Sequence, residues 1–265
     1  MNDLILRVLS AIFLLPVTTG AGEVRVAAAA SLYYALPELA NVFQTRTGHT
    51  IKLTFGSSGN LVRQILQGAP FDVFFSANVS YAQRLVDSRL TEGEGTVYAL
   101  GRLVLYVPAG CPILPSADLS SLSISDNNLH IKRFAIANPE HAPYGAAARE
   151  ALQTAGVWAA LKPRLVIGEN AAQATQFGVS GSVDAALIPL STALLPDISK
   201  RGHYAVVNDR LYTPLNQVVV LLKGADTAAR EFYESVATPE ARLILEHHGF
   251  GLPDERPRRT ATGNE

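Results

Sequence analysis

Four short segments of this sequence combine small or hydroxyl-bearing residues with the start of a predicted helix. They are Ala30-Ser31, Ser57-Ser58-Gly59, His141-Ala142-Pro143-Tyr144-Gly145 and Asn170-Ala171. The first N–H groups of a helix have no acceptor inside the helix, and the helix dipole adds about half a positive charge there. Serine hydroxyls are further donors, and small side chains let a ligand reach the backbone. The combination predicts a site that binds an anion.

The charge that these segments offer matches a doubly negative ligand. Four helix N-termini around one pocket would supply about two positive charges without lysine or arginine. Arg63 and Arg149 lie about one turn inside their predicted helices, so we do not expect them to bind the ligand. The alternative for Ser31 and Ser58, each taken singly, is an ordinary helix N-cap.

The elements that must position these residues predict an α/β fold. Apolar strands are predicted at 23–29, 50–55, 71–76, 102–107, 132–137, 164–167, 184–188 and 217–222. Helices are predicted at 32–43, 61–67, 144–154, 170–179, 225–237 and 239–248. Alternating strands and helices form parallel sheets, whose ligands lie at the carboxyl ends of the strands. Each of the four segments follows a predicted strand, so we expect them to meet.

The predicted strands at 102–107 and 217–222 stand between two such α/β units. They are candidates for two crossovers that form a hinge around a cleft. We predict a first lobe of residues 23–102 plus 218–252, a second lobe of residues 103–217, and a disordered polar tail at 253–265.

The N-terminus has the pattern of a secretory signal. Arg7 precedes an apolar run at 8–17, and small residues follow at 19–22, which predicts a signal peptide at 1–22 cleaved near Ala21 or Gly22. An N-terminal core helix is the alternative. The run is too short for a stable membrane anchor, so we expect a periplasmic protein without stable membrane insertion.

Composition and motifs narrow the function classes. The net charge of −1 gives no bulk attraction for nucleic acid, and the single cysteine, Cys111, cannot form an internal disulfide. The six histidines lack metal-ligand spacing, and the sequence has no G-x-S-x-G elbow, P-loop or GxGxxG turn. We expect no enzyme, no cofactor and no direct cation site. A serine-dependent enzyme using Ser31 or Ser58, and a ligand sensor, are the alternatives.

Six segments resemble the periplasmic molybdate-binding proteins of molybdate ABC transporters. They are AAAASL (27–32), FGSSGNLVRQI (55–65), GAPFDVFFSA (68–77), NPEHAPYGAAAREAL (138–152), IGEN (167–170) and EARLILEHHGF (240–250). The resemblance covers nearly the whole mature chain. It implies a two-lobed type II periplasmic binding protein fold, with mixed sheets flanked by helices. It also implies a monomer that binds molybdate or tungstate and has an ABC importer permease as its partner.

The resemblance implies particular ligand-binding residues. Ser31 and Ser58 would donate from hydroxyl and backbone N–H, and Tyr144 and Ala171 from backbone N–H. Secondary candidates are Ala30, Ser57 and Pro189. Many relatives carry a tyrosine, whose hydroxyl caps the ligand, where this chain has Pro189, and proline has neither hydroxyl nor N–H. The Tyr144 phenol is a candidate replacement, and packing of its ring on the cleft rim is the alternative.

The absence of hydrogen-bond acceptors in these segments limits which anions could be the ligand. Phosphate carries a proton near neutral pH and benefits from an acceptor, so donors alone favour a fully ionised oxyanion. We expect Glu140 and Glu169 to point away, because a carboxylate repels a dianion. Sulfate or another tetrahedral oxyanion stays open as an alternative, because the sequence does not give the size of the cavity.

Overall fold

The computed structural model describes residues 21–123 and 131–253 of the chain. The predicted signal peptide at 1–22, apart from Ala21 and Gly22, lies outside the described residues, as does the predicted tail at 253–265 apart from Pro253. Residues 124–130 also lie outside them.

Helices and strands alternate through the first half of the chain. The elements are β1 (Glu23–Ala29), α1 (Ala35–Thr47), β2 (Thr50–Gly56), α2 (Ser58–Leu66), β3 (Val73–Ser76), α3 (Val79–Asp87), β4 (Thr91–Gly101) and β5 (Leu103–Pro108). Short 3-10 turns lie at Ala30–Leu32 and Ser120–Leu122.

The second half continues the alternation. Its elements are β6 (Phe134–Ala137), α4 (Pro143–Thr154), α5 (Trp158–Leu161), β7 (Leu165–Gly168), α6 (Ala171–Val179), β8 (Ala185–Pro189), α7 (Leu190–Ala193), α8 (Pro196–Ser199), β9 (Gly202–Val206), β10 (Leu215–Leu222), α9 (Thr227–Ser235) and α10 (Pro239–His247). Further 3-10 turns lie at Lys162–Arg164 and Asp209–Leu211.

The strands form two mixed sheets of five strands each. The first has the order β2-β1-β3-β10-β4, and the second has the order β7-β6-β8-β5-β9. In the first sheet β1 is parallel to β2 and β3, while β10 is antiparallel to β3 and β4. In the second, β6 is parallel to β7 and β8, while β5 is antiparallel to β8 and β9. The predicted α/β fold with two mixed-sheet lobes is confirmed.

We call the first sheet with α1, α2, α3, α9 and α10 the first lobe, and the second sheet with α4 to α8 the second lobe. Each sheet has apolar clusters on both faces. In the first lobe Phe75 packs with Phe43 and Phe232 on one face, and Phe74 packs with Leu61 on the other. Helices therefore cover both faces of the sheet, which explains why the central strands are apolar throughout.

The chain crosses between the lobes twice. The first crossing is at Arg102, between β4 and β5, and the second is at 207–214, between β9 and β10. The strands predicted as crossovers each belong to one sheet, with β5 in the second lobe and β10 in the first. The crossing peptides adjoin these strands, and together they connect the two lobes.

Among the described residues, six elements have no counterpart in the sequence prediction: α3, α5, α7, α8, β4 and β9. The β4 sequence TEGEGTVYALG contains two glycines, Gly93 and Gly95, with positive φ, and its pairing with β10 shifts register twice. An irregular edge strand of this kind lacks the alternation of apolar and polar residues that identifies a strand.

Helix ends follow the expected signals. Gly48 ends α1 in the left-handed region with φ 76°, and the Thr238 side chain caps α10 by accepting from the Ala241 amide, with Pro239 at the first helical position. Within the described residues, every helix is too short or too polar to pass through a lipid bilayer.

Candidate functional site

The turns singled out in the sequence lie at the carboxyl ends of β1, β2, β6 and β7, where the two lobes face each other. The hydroxyl of Ser57 from the first lobe lies 2.8 Å from His141 Nδ1 of the second. The carbonyl of Ser31 accepts a hydrogen bond of 2.8 Å from the Ser191 hydroxyl of the second lobe. The fold thus joins turns from both lobes across one cleft.

Ser31 buries a hydroxyl that has no hydrogen-bond partner within the protein. The residue is 2% exposed and lies in the 3-10 turn that follows β1. It does not cap that turn, because no side chain bonds to the turn's first amides. The N-cap explanation for Ser31 is therefore wrong.

Tyr144 presents a second buried hydroxyl without a partner, from the opposite lobe. The residue is 3% exposed, and its ring packs with Ala29, Ala77 and Leu215. Burial raises the pKa of Tyr144 and keeps the phenol protonated, while the neighbouring Ser31 hydroxyl acts weakly in the other direction. The phenol is thus inserted between the lobes as a donor rather than exposed on the rim.

Gly101, the last residue of β4, makes room for the Tyr144 phenol. A Cβ atom at this position would overlap the Tyr144 hydroxyl oxygen and lie 2.8 Å from Gln217 Nε2. Any side chain larger than hydrogen would therefore displace the phenol. This role was not predictable from the sequence, because it depends on a contact between residues far apart in the chain.

Ser58 is fully buried at the first position of α2. Its hydroxyl oxygen accepts from the Ala77 amide at 3.0 Å, so its own hydrogen is free to donate elsewhere. Its backbone N–H has no acceptor within the helix. Ser57 stands at the N-cap position, but its side chain makes no capping bond and instead contacts His141. The N-cap explanation fails for Ser58 as well, because Ser58 is the first residue of the helix and not its N-cap.

Two further helix starts lie in the second lobe. Asn170 caps α6, and its side chain accepts from the Ala172 and Gln173 amides. The buried Ala171 holds the first position of α6, where its own N–H has no intrahelical acceptor. Tyr144 is the second residue of α4, after Pro143, so its N–H also has no acceptor within the helix.

The remaining candidates from the sequence, Ala30 and Pro189, have no side-chain donor. Ala30 is buried, and its carbonyl accepts from the Tyr33 amide at 3.3 Å. Pro189 ends β8, and its carbonyl accepts from the Thr192 hydroxyl at 2.8 Å, so it offers no donor. The buried Ser191, two residues further on, donates to Ser31 instead. Sequence reasoning considered this turn only at Pro189 and therefore missed Ser191.

Gln217 is a further buried polar residue that sequence reasoning missed. Its Nε2 donates to the Leu215 carbonyl at 2.9 Å and to the Ala77 carbonyl at 3.3 Å, while its Oε1 has no partner. The signal was present, since a glutamine opens the otherwise apolar segment QVVVLL.

The charged residues near these turns have polar partners within the protein. Arg149 pairs with Glu140 at 2.8 Å, and Arg63 donates to Asn60. The Glu169 carboxylate accepts from Asn60. Among the residues that the structure describes, no group of three or more histidine, cysteine, aspartate or glutamate side chains can hold a metal ion. The hydroxyls of Ser31, Ser58 and Tyr144 are uncharged donors, a type of group that suits an anion.

Comparison with known proteins gives consistent matches over most of the chain. The family profile described as bacterial extracellular solute-binding protein matches residues 24–251. The chain is 37% identical over 242 residues to the molybdate-binding protein ModA of Rhodobacter capsulatus, covering 89% of this chain and 91% of that one. It is 34% identical over 242 residues to ModA of Azotobacter vinelandii, covering 90% and 94%.

A solved structure agrees with these matches. The periplasmic molybdate-binding protein of Azotobacter vinelandii superposes with a TM-score of 0.77 at 27% identity, covering 87% of this chain and 99% of that one. The resemblance drawn from the six sequence segments is confirmed.

Proposed function

Because this chain belongs to the family of bacterial extracellular solute-binding proteins, we propose that it captures molybdate or tungstate between its lobes for an ABC importer. One observation carries the proposal. Ser31 and Tyr144, from opposite lobes, bury neighbouring hydroxyls that have no partner in the protein. Both are donors, and a ligand oxygen between them would satisfy both.

The donor set that we propose for the anion has two parts. The hydroxyls are those of Ser31, Ser58 and Tyr144, and the backbone N–H groups are those of Ser31, Ser58, Tyr144 and Ala171. Each hydrogen bond to a charged partner contributes about 1.5–3 kcal/mol. Several such bonds offset the cost of removing a dianion from water, so no lysine or arginine is required.

The chemistry of the donors supports a fully ionised tetrahedral oxyanion. A protonated phosphate would bring an O–H that needs an acceptor, which the proposed donor set does not include. The names of the relatives support molybdate among such ions. Tungstate has the same charge and shape. Sulfate is the alternative ligand.

We also propose export of the chain to the periplasm. Gly22 is already part of the fold, since its amide donates to His49 Nδ1 at 2.9 Å and its carbonyl accepts from the Thr50 amide at 2.9 Å. Cleavage of the signal next to Ala21 would keep these bonds. The mature chain would be a monomer that docks on a membrane permease, with lobes divided at Arg102 and in the connection at 207–214.

The proposal includes neither a cofactor nor catalysis. Ser57 and His141 form a serine–histidine contact of 2.8 Å, and Glu169 lies 3.7 Å from the other ring nitrogen. Ser57 and His141 stand on different lobes, so their contact links the lobes. We therefore assign this contact to closure of the lobes.

Isothermal titration of the purified mature protein with molybdate, tungstate, sulfate and phosphate tests the proposal. We expect tight binding of molybdate and tungstate and weak binding of phosphate. Ser31→Ala and Ser58→Ala should each raise Kd by about 10- to 100-fold, because each loses a hydrogen bond to a charged ligand. Ser88→Ala, an exposed serine at the end of α3, is the matched control and should bind as the wild type does.

Two results would contradict the proposal. Sulfate binding as tight as molybdate binding would assign the site to sulfate. Hydrolysis of an ester substrate that is abolished by Ser57→Ala would point to an enzyme.

A further inference from the structure

A second group of contacts between the lobes surrounds His141, beside the proposed anion site. The His141 carbonyl accepts from the Gly59 amide at 2.9 Å, and its Nδ1 lies 2.8 Å from the Ser57 hydroxyl. Its Nε2 lies 3.7 Å from the Glu169 carboxylate. We call Ser57, Gly59, His141, Glu169 and Asn60 the His141 clasp.

The clasp joins residues of both lobes. Ser57, Gly59 and Asn60 belong to the start of α2 in the first lobe, while His141 and Glu169 belong to turns of the second. Asn60 donates to the Glu169 carboxylate, which adds a further bond across the cleft. Because the partners stand on different lobes, these bonds form only when the cleft is closed.

Packing at the clasp is tight enough to require glycine at position 59. A Cβ atom on Gly59 would lie 2.9 Å from both Cβ and the carbonyl oxygen of His141, and 2.8 Å from the Tyr81 hydroxyl. The Tyr81 hydroxyl itself donates to the Glu140 carbonyl at 3.3 Å. The two lobes therefore touch backbone to backbone here.

The clasp also fixes the residue that we place against the ligand. Ser57 holds the N-cap position of α2, and Ser58 follows it with its hydroxyl and free N–H. His141 binds the Ser57 hydroxyl, so it holds the first turn of α2 in place without belonging to the donor set. The His141 side chain is 17% exposed, and each of its two ring nitrogens has a partner.

We propose that His141 is a positioning residue that holds the lobes closed over the bound oxyanion and thereby slows its release. The inference rests on the proposed function. Contacts present only in the closed state stabilise that state and leave the open state unchanged. Ligand enters the open cleft, so loss of the clasp should raise the dissociation rate and leave the association rate unaltered.

The experiment measures release of radiolabelled molybdate from the mature protein after addition of excess unlabelled molybdate. We expect His141→Ala to speed release by about 10-fold, the loss of about one good hydrogen bond. His141→Asn keeps a polar atom near the Nδ1 position and should retain most of the slow release. His203→Ala, an exposed histidine on β9 of the same lobe, is the matched control and should release molybdate like the wild type.

A double-mutant cycle separates positioning from a general loss of structure. Ser57→Ala should speed release by a similar factor, and the double variant Ser57→Ala/His141→Ala should be little faster than either single variant. Thermal unfolding without ligand should be similar for all the variants. Full additivity, or release from a folded His141→Ala at the wild-type rate, would overturn the clasp alone. Absence of oxyanion binding by the wild type would instead overturn the proposed function.

Discussion

At the scale of single residues, the cleft holds hydroxyl groups that the protein itself does not satisfy. A buried donor without a partner costs about 1–3 kcal/mol. Ser31 and Tyr144 both have such hydroxyls, and Ser58 has a hydroxyl hydrogen free to donate. These groups oppose folding and favour binding, since a ligand oxygen supplies the missing acceptor.

Tyr144→Phe tests whether the Tyr144 phenol supplies the ligand donor that Pro189 cannot provide. Loss of one hydrogen bond to a charged ligand should raise Kd for molybdate by about 10- to 100-fold, measured by titration calorimetry. The stability of the ligand-free protein should rise, by up to about 1–3 kcal/mol, because the variant removes a buried hydroxyl that has no partner.

Tyr233→Phe is the control for that variant. Tyr233 is bonded to Thr96 at 2.9 Å in the first lobe, between α9 and β4, so its loss should leave Kd unchanged. Wild-type affinity in Tyr144→Phe would show that the phenol only fills space.

At the scale of elements, the site depends on where helices begin. The first turns of α2, α4 and α6 all face the cleft, because each follows a strand whose carboxyl end lies there. Their caps differ. Asn170 caps α6 with its own side chain, whereas α2 has no side-chain cap and its Ser57 is held by His141 of the other lobe. The start of α6 is thus preformed within one lobe, and the start of α2 is completed by closure.

Asn170→Ala should weaken both folding and binding. Removal of the cap should cost about 0.5–2 kcal/mol of stability in chemical denaturation. Kd for molybdate should rise several-fold, because the Ala171 amide is no longer held at the helix start. Thr238→Ala removes the cap of α10, a helix that supplies none of the proposed donors, and should lose similar stability with unchanged Kd. Equal binding by both variants would exclude Ala171 as a donor.

At the scale of the whole molecule, two lobes with the same order of strands are joined by two connections. Several tyrosines are buried in this structure. Burial raises the pKa of Tyr98, Tyr144 and Tyr212 in the folded protein. In the unfolded chain the tyrosine phenols titrate at about pH 10. The folded protein therefore retains these protons above that pH, where the unfolded chain releases them.

The stability contributed by these neutral tyrosines should be complete below about pH 10 and should fall as the pH rises above it, because the unfolded chain then binds fewer protons. Denaturation at a series of pH values measures this slope. Tyr144→Phe should make it shallower, and Kd for molybdate should not vary with phenol ionisation between about pH 6 and about pH 9. A slope that is the same in both proteins would contradict burial of the phenol.

The sequence by itself determined the class of fold and predicted the chemistry of the site. The periodic spacing of apolar residues identifies strands and helices from a short stretch of sequence, so the α/β lobes and most elements were predictable. Small residues and hydroxyls after strands predicted uncharged donors in four turns, and the family resemblance implied Ser31, Ser58, Tyr144 and Ala171 as the residues that donate. These signals are local, because a helix start and its residue types are encoded within a few positions.

Only the tertiary structure decided which of these groups meet. Gly101 accommodates the Tyr144 phenol, Ser191 binds Ser31, and His141 binds Ser57, over separations of up to 160 residues. The irregular β4 also escaped prediction, because its partner β10 imposes its register. Such contacts depend on the path of the chain through the two crossings. No periodicity or motif within a short window of sequence carries that information.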